Sequence, residues 1–140
     1  MKIHQLLNHF GQSYVFCQRE YPRHASVKID YLDERLKNLL ADESKITKKY
    51  GEQVLKQVKR RMRALKLAPN LEELWKQRGG GLHFLSRDRK DQLAYHVGGK
   101  RRFIFTPNHD PLPLLDDGGI NRKEVTCVTI LAIAEDYHRS

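Results

Sequence analysis

Apolar residues recur along this chain with two different periods, and the change of period divides it. Residues 1–26 hold scattered aromatics and no sustained period, so they read as an extension, or one extra short element, ahead of a domain filling residues 27–140. From Val27 the pattern sharpens. "VKID" suits a short strand, and Leu32, Leu36, Leu39 and Leu40 then fall at helical spacing, with Asp30 and Asp33 near the start, where carboxylates favour the helix dipole. A second helix is predicted over residues 44–68, with Ile46, Tyr50, Val54, Val58, Met62 and Leu65 along one face. Gly51 inside it costs about 1 kcal/mol, Pro69 ends it, and Asn70 can cap one further turn, "LEELWK".

After "RGGG" the period becomes two. "GLHFLS", "QLAYHV" and "RRFIF" read as short strands joined by "RDRKD" and "GGK", connections of the Gly and charged types that tight turns use. A loop rich in Pro, Asp and Gly, residues 106–124, leads to "VTCVTILAIA", which is apolar at both alternate sets of positions and so predicts a central strand covered on both sides. The expected architecture is α+β: two N-terminal helices packed on one face of a small antiparallel β-sheet, with the C-terminal strand in the middle.

Charge adds a partner to this picture. The chain has 26 Lys and Arg against 17 Asp and Glu, a formal net charge of +9. Residues 45–66 carry nine basic side chains and one acidic, and residues 76–102 carry eight and two. A solvated helix usually mixes signs to gain i,i+4 pairs, and "KQVKRRMRALK" gives that up, which a polyanion would relieve. Lys59, Arg60 and Arg63 on the helix, with Arg87, Lys90 and Arg101 in the strand region, are the candidate RNA contacts. The same charges could instead keep the domain in solution or hold an acidic protein. No helix-turn-helix, zinc finger or RRM aromatic pair is present to read duplex bases.

Cys17 and Cys127 lie far apart, so no disulfide framework is expected, Cys127 reads as a small buried hydrophobe, and a reducing cytoplasm is the expected compartment. "MKIHQLLNHF" is too interrupted for a signal peptide, and the longest apolar run falls short of the ~20 residues that span a bilayer, so no membrane partner is expected. His83, His96, His109 and His138 form no close-spaced pair and no CxxC accompanies them; neither metal nor cofactor is expected.

RNA can be cut without a metal, by attack of its own 2′-OH on the adjacent phosphate. That chemistry needs a base near the 2′-OH, an acid for the leaving 5′-oxygen and fixed cations for the phosphoryl charge. His, Asp, Glu or Tyr can move the protons and Arg can grip the phosphate. His83, Arg87, Arg89, Lys90, Arg101 and Arg102 lie in the strand region, and a central last strand would bring Asp136, Tyr137 and His138 beside them. Each residue also has a structural reading: a lone His is more often structural, Tyr137 could anchor the chain end, and Arg101 could be a surface charge.

Residues 27–138 resemble the RelE/HigB family of toxins from bacterial type II toxin–antitoxin modules, in the plasmid-maintenance "killer protein" branch. The carriers are "DERLKNLLADE", "KKYGEQVLKQVKRRMRALKLAPNLEELW", "GGGLHFLSRDRKDQLAYHV", "RRFIF" and the ending "VTILAIAEDYH". The resemblance implies a microbial-RNase-like fold and a ribosome-dependent mRNA endonuclease. Its partners would be the ribosome and mRNA, a cognate antitoxin that inhibits it, and operator DNA only through the antitoxin complex. Position by position, His83 and Arg89 look like the family's hairpin histidine and arginine, Arg102 like the strand arginine at the scissile phosphate, and Asp136, Tyr137 and His138 like the terminal catalytic triplet. On that likeness His138 or Asp136 would move protons, Tyr137 would orient the nucleotide, and Arg89 with Arg102 would stabilise phosphate. Two departures stand out: Ser86 replaces a cation, with Arg87 following where glycine is common, and Asp91 stands where glycine is usual. The first leaves room for a catalytically weak RNA- or ribosome-binding module of the same fold.

Overall fold

The computed structural model describes residues 26–77 and 79–136, the side chain of Arg87 excepted, together with the backbone of Gln5–Leu7 (β1) and Ser13–Val15 (β2). Those two short strands pair antiparallel as a sheet of their own; the rest of the predicted N-terminal extension lies outside the described residues. The remaining elements run β3 (Lys28–Tyr31), α1 (Glu34–Leu40), α2 (Glu43–Tyr50), α3 (Glu52–Leu67), α4 (Leu71–Lys76), β4 (His83–Phe84), β5 (Leu93–His96), β6 (Arg101–Pro107) and β7 (Cys127–Asp136). The class is α+β, as the change of period predicts.

Local chemistry accounts for the helices. Asp33, Asp42 and Asn70 cap α1, α2 and α4 by accepting hydrogen bonds from the N–H of Leu36 (2.9 Å), Lys45 (3.2 Å) and Glu73 (2.9 Å), each cap being worth about 1 kcal/mol. The single helix expected over residues 44–68 is two. Gly51 takes φ +94° and ψ 165°, a conformation open to glycine, and the chain turns there from α2 into α3. The apolar stripe survives the break: Ile46, Val54, Val58, Met62 and Leu65 are all buried.

The five-stranded sheet has the order β3-β7-β6-β5-β4. It is mixed, not antiparallel, because β3 pairs parallel with β7 while the other neighbours are antiparallel. The helices rise between β3 and the hairpins, and this long connection lets β3 lie parallel to β7. The last strand is flanked on both sides as expected, but β6 holds the middle place. All four helices lie on one face, where Leu93, Tyr95, Val97, Phe103, Phe105, Val128 and Ile130 meet α2, α3 and α4 in one core. The other face, free of helices among the described residues, carries a smaller apolar cluster of Leu85, Ala94 and Ile104, with Leu131 and Ala132 only partly buried. Among the described residues the helices lie on one side of β7 only; on its other side Leu131 and Ala132 are partly buried. Cys127 is buried and disulfide-bonded, against the reading of an isolated thiol. Local pattern reports burial and is silent on covalent bonding.

The basic run of α3 is not uniformly exposed. Arg61 is buried: its guanidinium stacks on the Tyr95 ring (5.2 Å to the centroid) and donates to Gln57 Oε1 (3.1 Å) and to the His96 carbonyl (3.4 Å). The backbone at Gly80 crosses directly over it, so that a Cβ there would come within 2.4 Å of Arg61 Cζ. Burial pushes the Tyr95 phenol up to about 12, with Arg61 pulling the other way, and the phenol stays neutral.

His109 pins the long loop before β7. Its Nε2 accepts hydrogen bonds from the backbone N–H of both Thr126 (3.0 Å) and Cys127 (3.2 Å), which requires that nitrogen unprotonated. Desolvation holds the imidazole below its ordinary 6.5, with Glu124 opposing. The folded chain therefore binds this proton less readily than the unfolded chain. The contribution is complete above the unfolded value and is lost as pH falls below it toward the lowered folded value. Urea unfolding should show stability falling as pH drops below about 6.5, and His109→Gln should flatten part of that fall. His96, also shifted down, supplies another part. An unchanged pH slope in the variant would refute the role of His109.

Candidate functional site

Register assembles the site. The β5–β6 connection turns at Gly98 and Gly99, both at positive φ, with Arg101 N–H donating to the Gly98 carbonyl (2.9 Å). This closes the hairpin so that His96 faces Arg102 and Ala94 faces Ile104. Directly paired residues share a face. Ala94 and Ile104 belong to the helix-free face, and alternation puts His96 and Arg102 there too. On one side β4 adds His83, paired with Ala94; on the other β7 adds Glu135, paired with Arg102. Two imidazoles, a guanidinium and a carboxylate thus share one surface floored by Leu85, Ala94 and Ile104.

Arg89 joins them from the connection between β4 and β5, a single 3-10 turn over Arg87–Arg89. Its fork makes a bidentate ion pair with Glu135, Nη2 to Oε1 at 3.1 Å, and its Nε donates to Gln92 Oε1 (3.0 Å). The pair spans the two strands between the turn and β7. Asp91 closes the turn at φ +69°, where glycine is at ease and where Asp is among the few residues tolerated. Arg102 is held differently: its Nη1 donates to the carbonyls of Gly99 (2.9 Å) and Arg101 (3.0 Å), and among the described residues it makes no ion pair.

The imidazoles sit close, with ring centroids 6.2 Å apart. His83 Nδ1 lies 2.8 Å from the Gly81 carbonyl and donates to it, since a carbonyl only accepts; Nε2 is then the nitrogen turned to other work. His96 is shifted down, first by desolvation, then by Arg102, His83 and Arg61, and is neutral near pH 7.

The sequence-predicted residues are thus partly gathered. His83, Arg89 and Arg102 share the helix-free face. Lys90, beside Arg89, is exposed at the end of the turn, and the Arg87 side chain is outside the described set. Tyr137 and His138 also lie outside the described residues. Asp136 pairs with Arg101, not Arg102, and Arg101 lies on the helix side, over the Tyr50 ring of α2 (5.0 Å) and donating to the Ala134 carbonyl (3.3 Å). Glu135, one residue earlier, holds the position on the site's face that the sequence reading gives to Asp136. Lys59, Arg60 and Arg63 are exposed on α3, on the helical side. Lys59 is paired with Glu43 (3.1 Å), and Lys59 and Arg63 rim a groove of about 520 Å³ floored by Tyr31, Leu40 and Val58. They form a second basic surface rather than part of this one.

His96, Glu135 and the buried Arg61 are the residues that sequence reasoning misses. Alternation through "LAYH" carries the signal for His96, since it places the histidine in phase with Ala94. Nothing local distinguishes Glu135 from Asp136. Among the described residues no group of three or more His, Cys, Asp or Glu is placed to hold a metal, and no helix is long and apolar enough to cross a membrane.

Fold and site define an α+β protein with a mixed sheet, one face of which, free of helices among the described residues, carries two imidazoles and two guanidiniums. The chain matches no family model and no curated protein.

Proposed function

We propose that this chain is an endoribonuclease of the RelE/HigB type, cutting mRNA on the ribosome by metal-independent attack of the 2′-OH. One observation carries the reading: the strand register puts His83 and Arg102, two residues the family resemblance assigns to the chemistry, on one exposed face with Arg89 beside them. Arg102 stabilises charge on the phosphoryl oxygens, and His83, oriented by its bond to Gly81, exchanges a proton through Nε2. The resemblance adds Tyr137 and His138 at the chain end. Inhibition by a cognate antitoxin and autorepression through the antitoxin complex belong to the same proposal, as does cytoplasmic location, which rests on the resemblance alone because the disulfide at Cys127 removes the argument from free thiols. The basic α3 surface adds non-specific attraction to ribosomal RNA.

Arg89 favours a second reading, a weakly catalytic RNA- or ribosome-binding module, because Glu135 already occupies its fork. A phosphate must compete with that carboxylate. Glu135→Gln removes the competing charge and should bind single-stranded RNA more tightly, with a salt slope steeper by about 0.7 because one more phosphate is neutralised. Fluorescence anisotropy across a salt series reads both quantities, and weaker binding by the variant would show that the ion pair serves to position Arg89.

The deciding experiment maps mRNA 5′ ends in a translating bacterial extract, with Arg102→Ala as control. Cuts within translated codons that vanish with the variant support the nuclease. Intact message with folded, ribosome-bound protein supports the binding module.

A further inference from the structure

We infer that His96 is a catalytic residue of the candidate nuclease site, its imidazole taking the 2′-OH proton while His83 supplies a proton to the leaving 5′-oxygen. The inference rests on the nuclease reading and assigns its proton transfers to two strand residues.

The geometry begins with register. His96 is the direct cross-strand partner of Arg102, which brings the imidazole and the guanidinium to neighbouring places on one face. On the other flank, 6.2 Å away between centroids, is His83. At that separation, with the rings tilted 41° to each other, both imidazoles border the same patch of surface, within reach of one phosphodiester held over it. Among the described residues the His96 ring takes no hydrogen bond, and it is exposed to solvent and hence to substrate.

The ring is also positioned. Gly81, at φ +61°, packs its backbone on the Cδ2–Nε2 edge so closely that a Cβ would stand 2.4 Å from Cδ2. The same Gly81 accepts the hydrogen bond from His83 Nδ1. One residue therefore orients both imidazoles, and only glycine has room there. The charged and titratable neighbours are Arg102 on β6, His83 on β4 and Arg61 on α3, and together with desolvation they keep His96 deprotonated, the state a base requires. Glu135 lies one strand further, with its carboxylate engaged by Arg89.

In the proposed step the 2′-oxygen forms a bond to phosphorus as its proton passes to His96. The bond from phosphorus to the 5′-oxygen breaks, and that oxygen takes the proton from His83 Nε2. The products are a 2′,3′-cyclic phosphate and a 5′-hydroxyl, and proton exchange with water resets both rings. No oxidant, metal or co-reactant enters.

The test uses the full chain on ribosomes programmed with mRNA, under single-turnover conditions across pH 5.5–8.5, comparing wild type with His96→Ala. The expected result is a 10²- to 10³-fold slower cut in the variant, in the range for loss of a general base. The acid limb of the rate profile should change, and imidazole added to the medium should restore part of the rate. Wild-type rate in the variant, or a slower rate with an unchanged profile and no rescue, overturns the role. If wild type itself leaves the message whole while bound to the ribosome, the nuclease reading falls and this inference with it.

Discussion

Arg102→Ala should slow mRNA cleavage by about 10²- to 10³-fold if the chain is the nuclease proposed above, the usual effect of removing one preorganised group that faces developing phosphoryl charge. Arg102 stands out among the chain's many cations because of its surroundings. Its Nη1 is held by two backbone carbonyls of the β5–β6 turn, at 2.9 and 3.0 Å, so the charge is positioned with no ion pair among the described residues. Arg89 has a carboxylate in its fork, Arg101 lies across an aromatic ring on the other face, and Lys59 is ion-paired on a different surface. Arg102→Lys should recover little, since a point charge on a flexible stem cannot reproduce a planar guanidinium anchored through one nitrogen with the rest of its fork left to a phosphate. The side chain is half-exposed, so thermal unfolding should move by no more than about 0.5 kcal/mol. Cleavage near the wild-type rate in the alanine variant would remove Arg102 from the site.

Phe105→Ala should cost about 3–5 kcal/mol of stability, a large share of the ~5–15 kcal/mol that holds a domain of this size. Phe105 is 0% exposed on β6, and its ring lies 5.9 Å from Tyr95 and 6.3 Å from Phe103 in an aromatic group on the helix side of the sheet. A void there is walled by two strands and cannot collapse without moving the sheet. Because β6 also carries Arg102, the loss should reach function through the population of folded chain rather than through the chemistry. Urea unfolding should show a lower midpoint at unchanged slope. A loss below about 1 kcal/mol would mean that the site relaxes far more than a close-packed core allows.

Which residues are buried along each element could be read from the chain alone, because burial follows period and period is local. The stripe from Ile46 to Leu65, the alternation through "QLAYHV" and "RRFIF", the Asn70 cap and the class of the fold were all legible on that ground. So were the excess of positive charge and the candidacy of His83, Arg89 and Arg102.

The remainder came from packing and pairing in three dimensions. A glycine read as a small penalty within one helix became the boundary of two, because only packing selects its positive φ over continuation. The direction and place of β3 followed from the path of the helices, which no local pattern encodes. Most of all, pairing register decided the site. A shift of one residue sends a side chain to the opposite face. Glu135 therefore joins Arg102 while Asp136 goes with Arg101, and His96, inconspicuous in the sequence, comes to stand between His83 and Arg102. Residue types and their period are properties of the chain alone; which of them meet is fixed by hydrogen bonds between strands that are distant in sequence.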